Sequence, residues 1–252
     1  MNKKHKYCIF SMCSKNYRDA YDFVIDTWLK TDVDKIIIYT DDKDWKSDDP
    51  RIDIVKIFEP STDWLVNTGR RSIASQHVLD NYDYDKLIFL DIDCYVIQDI
   101  SHVFDFDFDI AVVRWTQNPS VQISAGVFFI NKNSKTKSFG NDWTKWSEKM
   151  KKEKRGLKAH AGSYAQIGYG KLIKTNAKNK IYKVKKLEFN EYSIKVKNLK
   201  QIRKLNKNIK HFEEYLKKWD IKVLHYYNNS YRDEETVKWC MNIINKNQKN
   251  LL

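Results

Sequence analysis

Apolar runs of strand length alternate with segments of helical spacing through the first half of the chain. Residues 7–12, Tyr-Cys-Ile-Phe-Ser-Met, read as a first strand. Asn16 can then cap a helix whose buried stripe carries Ala20, Phe23, Val24, Thr27 and Trp28, spaced i, i+3, i+4, i+7, i+8. Further strands are expected over 35–40 and 52–58, and a helix over 68–81 that carries Arg70, Arg71 and His77. The run Lys-Leu-Ile-Phe-Leu over 86–90 is apolar on both faces, as suits the centre of a sheet covered by helices. Strands over 108–114 and 122–131 follow, then a Lys-rich helix with Trp143, Trp146 and Met150, and a Gly-punctuated stretch over 161–170. A strand over 181–189, helical character over 195–219, a late strand over 221–225 and an amphipathic helix over 233–245 complete the pattern. This alternation predicts an α/β fold with a mostly parallel central sheet flanked by helices. No long linker or repeat interrupts it, so one domain over 1–252 is expected.

Composition narrows the picture. The 252 residues are 42% hydrophobic and 14% aromatic, ample for a core and incompatible with a disordered charged tail. The longest apolar runs fall far short of a membrane span, and the opening apolar stretch is too short and polar for a signal peptide. Cys8, Cys13, Cys94 and Cys240 form no C-x-x-C pair and read as free thiols. A cytoplasmic location is therefore expected, with the inner membrane face or a phage or viral setting also compatible.

Charge is unevenly divided. The net charge of +13 splits into −7 over 1–126 and +20 over 127–252. The 38 lysines against 8 arginines, with 20 asparagines, fit the codon usage of an AT-rich genome. That bias supplies lysines without functional demand, but it does not explain their crowding into one half.

Candidate chemistry centres on Asp91-Ile92-Asp93. The spacing Asp-x-Asp also occurs at Asp83/Asp85 in a polar turn and through Asp105, Asp107 and Asp109, where carboxylates alternate with Phe in a half-buried extended segment. Only Asp91 and Asp93 stand at the carboxyl end of a strand buried on both faces, where open α/β sheets place their ligand crevice. Residues i and i+2 of a strand point the same way, so the two carboxylates are expected to converge. Their mutual repulsion makes a hard divalent cation, Mg²⁺ or Mn²⁺, the natural partner, and with it a diphosphate. A strand end with solvated carboxylates is the alternative.

The segment over 84–100, Tyr-Asp-Lys-Leu-Ile-Phe-Leu-Asp-Ile-Asp-Cys-Tyr-Val-Ile-Gln-Asp-Ile, resembles the strand, Asp-x-Asp motif and following turn of GT-A-fold glycosyltransferases. The likeness is to glycogenin and galactosyltransferase-like enzymes and related nucleotide-diphospho-sugar transferases. Asp99-Ile-Ser-His-Val-Phe104 is similar to their turn, and Ile123-Ser-Ala-Gly-Val-Phe-Phe-Ile-Asn131 to their donor-sugar segment. Tyr164-Ala-Gln-Ile resembles their D-Q motif, and Val223-Leu-His-Tyr-Tyr the late strand whose His completes a metal shell. Weak motifs in the right order thus span most of the chain.

The resemblance implies a GT-A, Rossmann-like fold and a metal-dependent transfer from a nucleotide-sugar, most commonly a UDP-sugar. It implies a Mn²⁺ or Mg²⁺ ion on Asp91, Asp93 and His225, with turnover depending on Asp93 and the sugar-facing Gln166. Ser11, Cys13, Asn16 and Tyr17 would meet base and ribose, Arg70 or Arg71 the diphosphate or donor sugar, and Gly126 the sugar by close backbone approach. A β-bulge would equally explain Gly126. Two departures stand out: Ala165 replaces the family's Asp, and the tail Tyr226-Tyr-Asn-Asn-Ser-Tyr-Arg232 leaves Arg232 as its only basic candidate.

Retaining chemistry needs no base carboxylate, whereas inversion does. Between Arg114 and Lys174 the acidic residues are Asp142, Glu148 and Glu153, all in or beside the Lys-rich helix, so retention is expected, with Glu188, Glu191 and Asp109 kept as possible bases. The +20 half, lysines interleaved with Tyr164, Tyr169, Tyr182, Tyr192 and Trp219, suits an anionic acceptor. A glycan or lipid-linked saccharide is the first reading. The alternatives are a hydroxymethylated DNA base, as for base J glucosyltransferase, or a non-catalytic basic module on a decayed transferase fold.

Overall fold

β1 (Tyr7–Cys13) alternates its side chains between two buried faces, Ile9 towards one and Phe10 towards the other. The computed structural model describes residues 6–61, 63–114, 123–153, 164–192, 194–195 and 222–225. After β1, a 3-10 turn (Lys15–Tyr17) leads into α1 (Arg18–Leu29), followed by β2 (Lys35–Thr40), β3 (Ile52–Lys56), α2 (Trp64–Asn81), β4 (Lys86–Leu90) and β5 (Cys94–Val96). A second 3-10 turn (Ser101–Asp105) precedes β6 (Ile110–Arg114) and β7 (Ile123–Asn131); then come α3 (Phe139–Lys152), α4 (Tyr164–Lys178) and β8 (Val184–Glu188). The described chain closes with α5 (Phe189–Tyr192), β9 (Ile194–Lys195) and β10 (Val223–His225).

Among the described residues, seven strands form one sheet in the order β3-β2-β1-β4-β7-β6-β8. All neighbours are parallel except β7, which runs antiparallel to both β4 and β6. β5, β10 and β9 make a small second sheet, with β10 central. The expected α/β class and mostly parallel sheet are therefore observed, with β4 at the centre.

Each face of the large sheet carries its own core. On one side Ile9, Ile36, Ile38, Ile88 and Leu90 pack beneath Val24 and Trp28 of α1. On the other, Phe10, Phe89 and Phe128 lie beneath α2, α3 and α4. Phe89 stacks on Phe128 at 4.8 Å and takes Phe10 edge-on at 5.2 Å. Each fully buried aromatic of this kind contributes about 1.5–3 kcal/mol over exposure to water. Trp28 is fully buried and donates its indole N–H to the Cys94 carbonyl at 2.7 Å, fixing the start of β5 against α1.

Several elements differ from the sequence expectation for identifiable reasons. α1 is not capped by Asn16: Asn16 lies within the 3-10 turn, Tyr17 holds the cap position without a side-chain bond, and the Asp41 carboxylate, reaching across from the end of β2, accepts the Lys15 amide at the start of that turn at 2.8 Å. α2 begins at Trp64, a turn before the expected start at 68; this first turn leaves Val66 exposed and so carries no buried apolar stripe there to mark it. From 164 on, the Gly-punctuated stretch is the start of α4. Gly168 lets that helix approach α3, since a Cβ there would sit 2.6 Å from the Ser147 amide nitrogen. The Phe/Asp segment before β6 is extended only in part and does not alternate in burial: Phe104 lies in the second 3-10 turn, Phe106 is exposed, and Phe108 and Asp109 are both buried. Asp109 turns inward because it accepts from the Lys183 amide (2.7 Å), Asn133 Nδ2 (2.8 Å) and Lys135 Nζ (3.3 Å). The helical expectations over 195–219 and 233–245, and Arg232, lie outside the described residues.

Candidate functional site

The apolar strand β4 stops at Leu90 because the next residues leave the ladder. The Asp91 amide donates to the Gly126 carbonyl (2.8 Å) and the Cys94 amide to the Asp91 carbonyl (2.9 Å), closing a tight turn into β5. Asp91 and Asp93 thus sit in a turn rather than on one face of a strand, which corrects the alternation argument. Both carboxylates nevertheless approach His225, which arrives on β10. Its Nε2 lies 3.0 Å from Asp93 Oδ1 and 3.9 Å from Asp91 Oδ2.

β10 delivers His225 through its antiparallel pairing with β5, in which His225 faces Cys94 and Val223 faces Val96. The small sheet therefore exists to bring a distant segment onto the Asp91 turn. Gly126 of β7 forms the floor. A Cβ at this position would fall 2.6 Å from Asp91 Oδ2 and 2.7 Å from His225 Cε1, so any side chain would press on both.

Arg71 and Arg70, adjacent on α2, diverge. Arg71 Nη2 lies 2.9 Å from the Asp91 carboxylate, and both side chains are largely buried. Arg70 is turned away, with Nη1 2.9 Å from both Asp41 Oδ2 and Asn67 Oδ1, a bond to the Glu59 carbonyl, and its guanidinium 4.9 Å from the Phe58 ring centroid. Gln166 of α4 clasps β7 next to Gly126: Oε1 accepts from the Ala125 amide at 3.1 Å and Nε2 donates to the Ile123 carbonyl at 2.6 Å.

The remaining sequence candidates line the same edge of the sheet. Ser11 is buried and donates its hydroxyl to the Leu90 carbonyl at 2.6 Å, tying β1 to the end of β4. Cys13 is buried in the core, whereas Asn16 and Tyr17 are exposed in the turn after β1. Among the three carboxylates kept as possible bases, Glu188 lies at this edge, three strands across from β4, roughly 14 Å by strand spacing. Asp109 lies at the opposite edge, where its carbonyl accepts the Asn131 amide, and Glu191 is in α5.

Electrostatics at the cluster follow from burial and proximity. Burial pushes the Asp91 carboxyl pKa up; Arg71 opposes this, and Asp93 adds to it by repulsion. Burial would lower the His225 pKa, but Asp93 and Cys94 outweigh it and raise it well above the ordinary imidazole value. Arg71 and a protonated His225 therefore balance the two carboxylates, and a cation held by His225 would take the place of its proton. Two carboxylates and an imidazole around a floor that excludes a side chain form a donor set fit for a divalent ion.

Sequence reasoning passed over Cys94, whose fully buried thiol lies beside Asp93 and His225. Its position directly after the Asp-x-Asp motif was the available signal. No helix among the described residues is long and apolar enough to cross a membrane.

No protein-family model matches the chain, and no curated protein matches it by sequence. Solved structures do. The glycosyltransferase GlyE of Streptococcus pneumoniae TIGR4 aligns with a TM-score of 0.58 at 18% identity, over 90% of this chain and 56% of the GlyE chain. A glycosyltransferase involved in glycosylation of the major capsid of PBCV-1 gives 0.55 at 13% identity, over 92% of this chain and 99% of its own. The galactosyltransferase LgtC, solved with donor and acceptor sugar analogs, gives 0.54 at 13% identity over 88% of each chain. The fold of this chain is that of a GT-A-type glycosyltransferase.

Proposed function

We propose that the protein is a metal-dependent glycosyltransferase that moves a sugar from a nucleotide-sugar, with a UDP-sugar as the preferred donor, to a hydroxyl of a glycan or lipid-linked saccharide, with retention. The observation that carries this reading is the convergence of Asp91, Asp93 and His225 over Gly126 at the carboxyl edge of β4. Asp91, Asp93 and His225 would hold Mn²⁺ or Mg²⁺. Such an ion supplies charge neutralisation for a departing diphosphate.

The chain's own residues account for the rest. Gly126 opens the backbone to the donor sugar, and Gln166 fixes the strand that carries it. Arg71 presents a fork-shaped donor group at the same spot, suited to phosphate or sugar oxygens. Exposed Asn16 and Tyr17 offer polar and stacking contacts for the nucleoside. Retention is favoured over inversion through Glu188, three strands from the cluster, or Asp109, at the far edge; Glu191, whose carbonyl accepts the Lys222 amide beside β10, is the base that inversion would need. On the acceptor side, α3 carries Lys145, Lys149, Lys151 and Lys152, with Lys149 over the Trp146 ring at 5.0 Å, a surface suited to an anionic saccharide.

The test is donor turnover with UDP-, GDP- and TDP-sugars and Mn²⁺, with saccharide acceptors in one arm and hydroxymethylated duplex DNA in another. Nucleotide release that needs the cation and is lost in Asp93→Ala is expected. Full activity in EDTA would overturn the metal role, and no release from any donor would mark a non-catalytic module. Stimulation by the DNA alone would reassign the acceptor.

A further inference from the structure

Cys94 and His225 are directly opposite in the antiparallel β5–β10 pair, so their side chains rise on the same face of the small sheet. The Cys94 thiol is fully buried, and it, an Asp93 carboxylate oxygen and a ring nitrogen of His225 all lie within 4.8 Å of one another. A tetrahedral zinc ion, with bonds of about 2.0–2.3 Å, separates its ligand atoms by roughly 3.3–3.7 Å. His225 and Asp93 stand 3.0 Å apart. Asp91, by contrast, is engaged by Arg71 at 2.9 Å and is 3.9 Å from His225. Two donor sets therefore overlap: a hard one with Asp91, and a mixed one with the thiol.

The geometry points to Asp93, Cys94 and His225 as a second cation mode, a three-ligand site for Zn²⁺ or Co²⁺ with its fourth position open. Thiolate is the ligand that separates these ions from Mg²⁺ and Mn²⁺, since sulfur binds soft and borderline cations and contributes little to hard ones. Three protein ligands with one open position is also the donor count of catalytic rather than structural zinc sites. On binding, the thiol releases its proton to water as the S–metal bond forms. Asp93 and His225 belong to both sets, so a zinc-class ion and the hard cation exclude each other. That competition rests on the transferase reading above, whereas the binding itself does not.

The experiment is a titration of the reduced protein with Co²⁺, followed by its absorption spectrum. A near-ultraviolet thiolate-to-cobalt charge-transfer band with tetrahedral visible bands is expected, and Zn²⁺ should displace it. Cys94→Ser and Cys94→Ala should lose the band and bind Zn²⁺ at least about 100-fold more weakly, more than the loss of a supporting outer-shell partner produces. Asp91→Asn should keep the band. A wild-type cobalt spectrum without charge transfer, or unchanged zinc affinity in both Cys94 variants with native melting transitions, overturns the proposal. Donor turnover is read separately. Mn²⁺-driven nucleotide release without the cobalt band overturns this inference alone, and the band without any release overturns the transferase reading alone.

Discussion

Arg71 and Asp91 form an ion pair between α2 and the end of β4, with Arg71 Nη2 2.9 Å from the carboxylate. The side chains retain only 16% and 15% of their exposure, so the pair is desolvated and each charge needs the other. Arg71 is thereby the counter-charge of Asp91 in the ligand-free protein. Its replacement by Met leaves a buried carboxylate beside Asp93. The expected cost is about 3 kcal/mol, the low end for breaking a buried pair because some solvent reaches it. Mn²⁺ should restore much of this loss, because a cation supplies the missing charge. Thermal unfolding with and without Mn²⁺ measures it; an equal deficit under both conditions would exclude this role.

Gly126 sets a different kind of limit, steric rather than electrostatic. Ala at this position places a methyl 2.6 Å from Asp91 Oδ2 and 2.7 Å from His225 Cε1. Neither neighbour is backbone, so the side chains can swing away and the fold should survive, at a cost of about 1–3 kcal/mol for overpacking. The ligands would no longer converge. The stabilisation by Mn²⁺ expected for the wild-type protein should vanish in Gly126→Ala while the circular dichroism spectrum is unchanged. Retained cation response would show that the ligands do not meet over this residue.

The run of Leu87 to Leu90 followed by an acid was readable as a central strand ending at a crevice, because burial on both faces and the switch to carboxylate are both patterns in the chain. The choice between Arg70 and Arg71 was not readable. Adjacent helix positions differ by about 100° in direction, and only the packed location of Asp41 and Phe58 sends Arg70 one way and Asp91 draws Arg71 the other. Cys94 offered only its place directly after Asp93 as a signal, since its partner His225 is 131 residues away in sequence and meets it only through the β5–β10 register.

Gln166 reaches the site through the backbone it holds. Glu in its place keeps an acceptor for the Ala125 amide but sets a carboxylate oxygen against the Ile123 carbonyl, where Nε2 now donates at 2.6 Å. Loss of that bond with an unpaired carbonyl left behind costs about 1–3 kcal/mol. Because Ile123 and Ala125 precede Gly126, the donor pocket should shift as well. Gln166→Glu should lower kcat/KM at least about tenfold, equivalent to 1.4 kcal/mol of transition-state binding. Steady-state kinetics with the preferred donor decide it, and wild-type values would remove Gln166 from the site.

Asp109 gives a stability prediction far from the site. Burial alone would raise its pKa, but the Lys183 amide, the Asn133 amide group and the Lys135 ammonium outweigh burial and hold the carboxyl below its usual value. A depressed carboxylate pKa means that the folded state binds the proton less readily than the unfolded chain. Its stabilisation is therefore present above the unfolded value of about 3.9 and is lost as pH falls through the lower folded value. In Asp109→Asn one oxygen acceptor becomes an N–H₂ donor facing other donors, so three connections between β6, the β7–α3 turn and β8 are weakened together. The expected cost at pH 7 is about 1–3 kcal/mol, as for removal of a buried hydrogen-bonded partner. Urea unfolding across pH should show this gap narrowing below about pH 4 as the wild-type carboxylate protonates. A gap that stays constant into acid would mean that Asp109 acts through packing rather than through its charge.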